Sequence, residues 1–193
     1  MSAPLAHKLQ VKLYTAAGDD LPLDTFIPIF HEWIKHHRLP ELLIDVASYS
    51  HVPRGPGICL IGNDGDYFLE EGEGRRGLLY SRKRQPPPPE QRLGDAFRHA
   101  LQAALLLEAE PALAGKLRFR TDELLFRVND RLLAPSSEAT FAALRPGLDQ
   151  LCARLFAGAP YKLAMASTPR ELFTVKIAAE AKADLKTLLE RLA

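Results

Sequence analysis

Several things are scarce in this sequence, and each scarcity closes a class of function. Only two cysteines, Cys59 and Cys152, occur in 193 residues, far apart and both in apolar surroundings. That excludes a disulfide-stapled scaffold and reads both thiols as reduced core residues. Net charge is close to nil, at +1, so no global field draws the chain to nucleic acid or to a membrane surface. No apolar run approaches the ~20 residues that span a bilayer. The opening residues, MSAPLAHKLQ, lack the basic start and apolar stretch of a signal peptide, so a cytoplasmic protein is expected. Also missing are G-x-S-x-G, S-x-x-K and the V-A-I-K, H-R-D and D-F-G set, which closes the best-marked routes to a hydrolase or a kinase.

What is present belongs to an ordinary globular chain, 47% hydrophobic and 25% charged, long enough to bury a core without staples. The expected fold is α+β, a single domain over 1–193 with an antiparallel or mixed sheet and helices mainly on one face. Residues 8–15 alternate Leu9, Val11 and Leu13 with polar partners, the period of a half-buried strand. Asp24 is placed to cap a helix running to about His37, with Phe26, Phe30, Trp33 and Ile34 on one face. Strands follow from Leu42, at 58–61, 67–69 and 78–80, and Pro86 to Pro89 form an extended spacer into a strongly apolar helix at 91–108.

In the second half, 117–121 and 124–128 read as a hairpin turning at Asp122-Glu123. A helical region then runs from Ser136 or Ser137 to Phe156, with a break or restart at Pro146. Strands at 161–166 and 172–177 and a terminal helix at 181–192 complete the chain. The order β-α-β-β recurs in halves 1–85 and 116–193, with Thr25-Phe26 and Thr140-Phe141 near the two helix starts, which hints at an internal duplication.

Most motif-like runs have plain readings. Gly72-Glu73-Gly74-Arg75-Arg76-Gly77 matches G-x-G-x-x-G, but strand-like LLYSRKR follows where a dinucleotide fold needs a helix, so a hairpin turn is expected. The five acids from Asp64 to Glu73 and five bases from Arg75 to Arg84 would then face each other across its arms. Asn63-Asp64-Gly65-Asp66 fails as a calcium loop, because Phe68 and Leu69 fill the places that need a ligand and a glycine. His31, His36 and His37 lack the i, i+4 spacing of zinc ligands. His99 is a lone histidine with no assigned role. No metal or cofactor is expected. Tyr80 is the only aromatic among the 75–84 bases, so nucleic acid is a minority partner.

One stretch stands apart. In LLIDVASYSHVPRGPG, residues 42–57, an apolar strand with one acid leads into ionisable groups and a Pro/Gly-constrained loop. His51 at the strand end could serve as a general acid or base with Asp45 orienting it, while Tyr49, Arg54, Gly55 and Gly57 would bind a ligand. Adjacent Ser50 and His51 point to opposite faces of a continuing strand, so they are not a nucleophile–base pair by themselves. Two functions stay open. One is a non-catalytic binding or protein-interaction domain, a homodimer or an accessory to another protein. The other is a small enzyme using His51 on a small anionic substrate.

This stretch, with TFIPIFHEW before it and GLLYSRKR after it, resembles a small set of uncharacterised bacterial proteins over about the first 85 residues. The resemblance implies a bacterial, cytoplasmic protein and carries no activity, cofactor or site.

Overall fold

The structure, a computed structural model, describes residues 8–53, 55–180 and 183–193. Strand β1 (Leu9–Ala17) sends Leu9, Val11 and Leu13 into the core, as its alternation requires. It lies inside one eight-stranded sheet with β2 (Leu43–Ser48), β3 (Ile58–Gly62), β4 (Gly65–Glu70), β5 (Gly77–Arg82), β6 (Arg118–Val128), β7 (Tyr161–Met165) and β8 (Phe173–Ala179). The order is β2-β3-β4-β5-β1-β6-β8-β7 and every ladder is antiparallel. The fold is α+β.

One hydrophobic cluster takes the same face of every central strand: Ile58 and Leu60, Tyr67 and Leu69, Leu78 and Tyr80, Leu124 and Phe126, Val175 and Ile177. The helices supply its other side. They are α1 (Phe26–Lys35), α2 (Arg92–Glu108), α3 (Glu138–Leu155) and the short α4 (Leu185–Glu190). α2 lies over β1 and β5, and the alanines at 96, 100, 103 and 104 are small enough to let it approach the sheet closely. None of the described helices is long and apolar enough to cross a membrane.

Strands β1 and β6 sit side by side inside the sheet. From each, a helix carries the chain outward, α1 to edge strand β2 and α3 to edge strand β7. The chain then steps back, strand by strand, to the neighbour of its starting strand, β5 or β8. The first half uses four strands for the return and the second uses two, so the first half is β-α-β-β-β-β rather than β-α-β-β.

Four local expectations are corrected. Residues 117–128 hold no hairpin, because β6 runs unbroken from Arg118 to Val128. Its register on β1 shifts between the pairs Leu13–Leu124 and Thr15–Phe119, so the polar run 120–123 is a bulge. Arg120 and Arg75 hold Asp122 and Glu123 there. Pro146 lies inside α3 without breaking it, since Leu144, Leu148, Leu151 and Leu155 form one continuous buried stripe across the proline. Asp24 does not cap α1, which starts after Thr25 with no side-chain cap; Asp24 sits in a preceding 3-10 turn and accepts a hydrogen bond from Ser50 Oγ at 3.2 Å. The terminal helix is short and is capped by Asp184, whose carboxylate accepts the Thr187 N–H, while 181 and 182 lie outside the described residues.

The charged hairpin pairs only partly across its own arms. Asp66 meets Lys83 at 2.7 Å and Glu71 meets Arg76 at 2.5 Å. Glu70 instead meets the buried Lys12 of β1 at 2.5 Å, Arg75 reaches Glu123 at 2.6 Å, and Arg82 pairs with Asp95 of α2.

Cys59 and Cys152 are free and buried, and burial pushes both thiols up to about 12. The thiolate is the reactive form. Native protein at pH 8 is therefore expected to leave both unmodified by a thiol reagent, with two equivalents reacting after unfolding. Rapid labelling of either thiol without denaturant would refute this.

Candidate functional site

The 49–57 loop is built by consecutive turns between β2 and β3. Tyr49 N donates to Gly57 O at 2.7 Å and closes its base; Val52 N donates to Tyr49 O and Gly55 N to Val52 O, at 2.9 and 2.8 Å. Two glycines make this compactness feasible. Gly57 has φ +67°, and a Cβ there would fall 2.0 Å from Leu69 O; one on Gly55 would fall 2.9 Å from both Tyr49 O and Val52 Cβ. The loop faces the 3-10 turn at Gly72–Gly74, and between them lies a cavity of about 850 Å³.

Tyr49, Ser50, His51, Val52 and Pro53 line that cavity with Leu23, Glu71 and the backbone of Gly55, Gly57, Gly72 and Gly74. Tyr49, His51, Gly55 and Gly57 are thus brought together as the sequence suggests. Arg54 lies outside the described residues. Asp45 is not part of the lining. It pairs across β2–β3 with Ile61, on the sheet side away from the helices, and its carboxylate accepts the N–H of Val46 at 2.8 Å.

Among the described residues, no hydrogen bond or ion pair holds the His51 ring. Asp24 takes the hydroxyl of Ser50, itself 3.0 Å from Ser48 Oγ. An acid that binds the serine, rather than the histidine, does not make a relay. Glu71, the acid in the cavity wall, is held by Arg76. What the groove offers is mainly backbone, Pro/Gly rim and apolar side chain.

No protein-family model matches the chain, and no curated protein matches it.

Two features escape sequence reading. First, β2 is an edge strand, and large apolar side chains are exposed at its start and in the loop after it: Leu42 59%, Ile44 54%, Tyr49 40% and Val52 40%. An apolar run such as LLIDV looks the same whether its strand is central or at an edge. Second, His99 belongs to a buried polar cluster on the helix side. Its ring stacks on Tyr80 with centroids 5.0 Å apart, and Nδ1 lies 2.9 Å from Asp95 O. Glu41 accepts from Tyr67 Oη at 2.5 Å and from Gly65 N at 3.0 Å, with His99 Nε2 3.9 Å away. Burial, then the Glu41 charge, holds the Tyr67 phenol well above its ordinary range, so it stays a neutral donor.

Proposed function

We propose that this chain is a non-catalytic binding protein that takes an apolar segment of a protein partner along the β2 edge and into the groove beside the 49–57 loop. One observation carries the reading: Leu42 and Ile44 are exposed at the start of the β2 edge, and Tyr49 and Val52, exposed in the loop that follows it, line the groove. Isolated exposed leucines need no explanation, whereas several large apolar side chains exposed along one edge strand and the loop after it point to a contact surface. Covering the exposed half of Leu42 or Ile44 is worth on the order of 1 kcal/mol each. Asp45 refines the picture. By occupying the Val46 N–H at an edge strand it blunts the addition of a further strand, so docking is by side chains and favours a partner with a cation opposite Asp45.

A homodimer through this edge would bring two Asp45 carboxylates toward one two-fold axis, which favours a different partner protein. The reading of a small enzyme with His51 as acid or base keeps one observation, the place of His51 in the groove wall. In the binding reading His51 is a contact residue. A bacterial, cytoplasmic setting is part of the proposal, supported by the resemblance over the first 85 residues and by two buried reduced thiols. So is a single, internally duplicated domain, supported by the shared path of the two halves.

Photo-crosslinking in the producing cells tests the reading, with a benzophenone amino acid placed at Ile44, at Val52 or, as a control, at exposed Leu132. A discrete heavier band from 44 and 52, and none from 132, is expected. A band at twice the chain's mass would replace the partner by a second copy. Equal smears from all three positions would sink the proposal.

A further inference from the structure

The sheet face away from the helices carries a second feature, centred on the β6–β8 side of the sheet. Near β6 and β8 lies a cavity of about 760 Å³ whose wall holds four cations, Arg127, Arg131, Arg170 and Lys176, and one acid, Glu171. The Glu171 carboxylate accepts the N–H of Thr168 at 2.7 Å, and that bond is the main reason it titrates below its ordinary value. Two of the cations are positioned: Arg127 Nε donates to Thr174 Oγ1 at 3.1 Å, and Arg131 Nη1 donates to the Arg170 carbonyl at 3.1 Å. Surface charges of one sign normally alternate with the other, because like charges gathered around one hollow repel. Guanidinium groups suit phosphate and carboxylate oxygens in particular, through paired donors.

A second observation points to the same place. A smaller cavity of about 420 Å³ adjoins the first and shares Asn129 with it. Phe68 and Leu79 give it an apolar floor, Pro56 of the 49–57 loop and Gln10 line it, and its two acids, Asp66 and Glu70, are neutralised by Lys83 and Lys12. Gln10 is 8% exposed; its Nε2 donates to Ser81 Oγ at 3.0 Å, yet its Oε1 is buried without a partner. An unmet buried acceptor is rare enough to ask what donor it serves. Gln10 and Arg127 are direct partners across the β1–β6 ladder, so the unmet acceptor and the cationic wall are neighbours.

We infer that this trough binds a small organic polyanion, with phosphate or carboxylate groups among the four cations and a hydrogen-bond donor of the ligand's body on Gln10. The floor at Phe68 suits a planar body, and a nucleoside triphosphate combines these features: charges at one end, an exocyclic amine on a ring at the other. Cavities of this size are typical of small-ligand sites.

Calorimetric titration of the full chain with ATP and, separately, with inorganic pyrophosphate tests the inference. Both are expected to bind saturably, ATP tighter by about tenfold because only it reaches Gln10. The double variant Arg170→Gln, Lys176→Gln is expected to weaken both by tenfold or more. Both side chains are exposed, so an unchanged melting temperature will show that this variant folds. Gln10→Met is expected to weaken ATP alone and leave pyrophosphate unchanged. Absence of saturable binding, affinities untouched by the double variant, or equal affinity for the two probes would overturn the inference.

Discussion

Replacing Gly57 by alanine is expected to destabilise the protein by on the order of 4 kcal/mol, among the larger effects of any single substitution. Two costs combine. A non-glycine residue at φ +67° is strained by about 1 kcal/mol on its own. The larger cost is steric, because the new Cβ would lie 2.0 Å from Leu69 O and 3.0 Å from Leu69 C, atoms of the β4 backbone rather than the tip of a movable side chain. To relieve that contact the start of β3 must lift away from the end of β4, and the Ile58–Leu69 pairing goes with it. The Tyr49 N–H···O=C Gly57 bond that closes the loop is broken as well. Gly74 is the internal control. It has a similar φ of +71° but nothing within 4 Å of its added Cβ, so Gly74→Ala should cost only about 1 kcal/mol. Urea unfolding of the two variants measures the difference. Equal midpoints would mean that the loop, not the sheet, absorbs the clash.

Glu41→Ala is expected to cost a similar amount, on the order of 4 kcal/mol, for a chemical reason rather than a steric one. The Glu41 side chain is 4% exposed and receives two donors, the Tyr67 hydroxyl and the Gly65 N–H. Tyr67 is fully buried, and burial keeps its phenol protonated, so it retains a proton that needs an acceptor. Removing the carboxylate strands both donors in a dry place, at about 1–3 kcal/mol each, and leaves a void beside His99. Glu41→Gln keeps an acceptor oxygen in nearly the same position and should lose no more than about 2 kcal/mol. Thermal and urea unfolding of the pair provide the check. If both substitutions are equally mild, the cluster is less desolvated than its geometry implies.

The fold was readable where burial and local chemistry agree. β1 alternates because one of its faces meets the helices, and α2 advertises itself through an apolar stripe whose centre, Phe97, Leu101 and Ala104, is buried. Elsewhere a distant partner overrides the local signal. Asp122-Glu123 has the composition of a turn, but Arg75, brought from another part of the chain, makes it a salt-bridged bulge. Pro146 ought to interrupt a helix, but leucines on both sides of it share one buried stripe. Tyr49, His51, Gly55 and Gly57 do gather, because the loop is local and its glycines announce it. Asp45 could not be placed in the same way, since the bulge between Leu43 and Asp45 sets which side of β2 it faces. The cationic cavity was invisible for the opposite reason: Arg127, Arg131, Arg170 and Lys176 are scattered in sequence and meet only when β6, β8 and their loops are assembled.

The central position of β1 has a consequence for how the chain reaches this state. Lys12 has cross-strand partners at Leu79 and Leu125, so β1 gains one neighbour only after β5 has been made and the other only after β6 has. Until β6 arrives, at least one edge of β1 stays bare. Closing loops of this length before any contact rewards them makes such topologies slow to fold, compared with helical bundles of the same size. The β2–β5 meander can form early from neighbouring residues, and the β7–β8 hairpin can do so late. The β1–β6 seam joins them, so assembly of the two halves and completion of the core are one event, set by the meeting of the segments farthest apart in time.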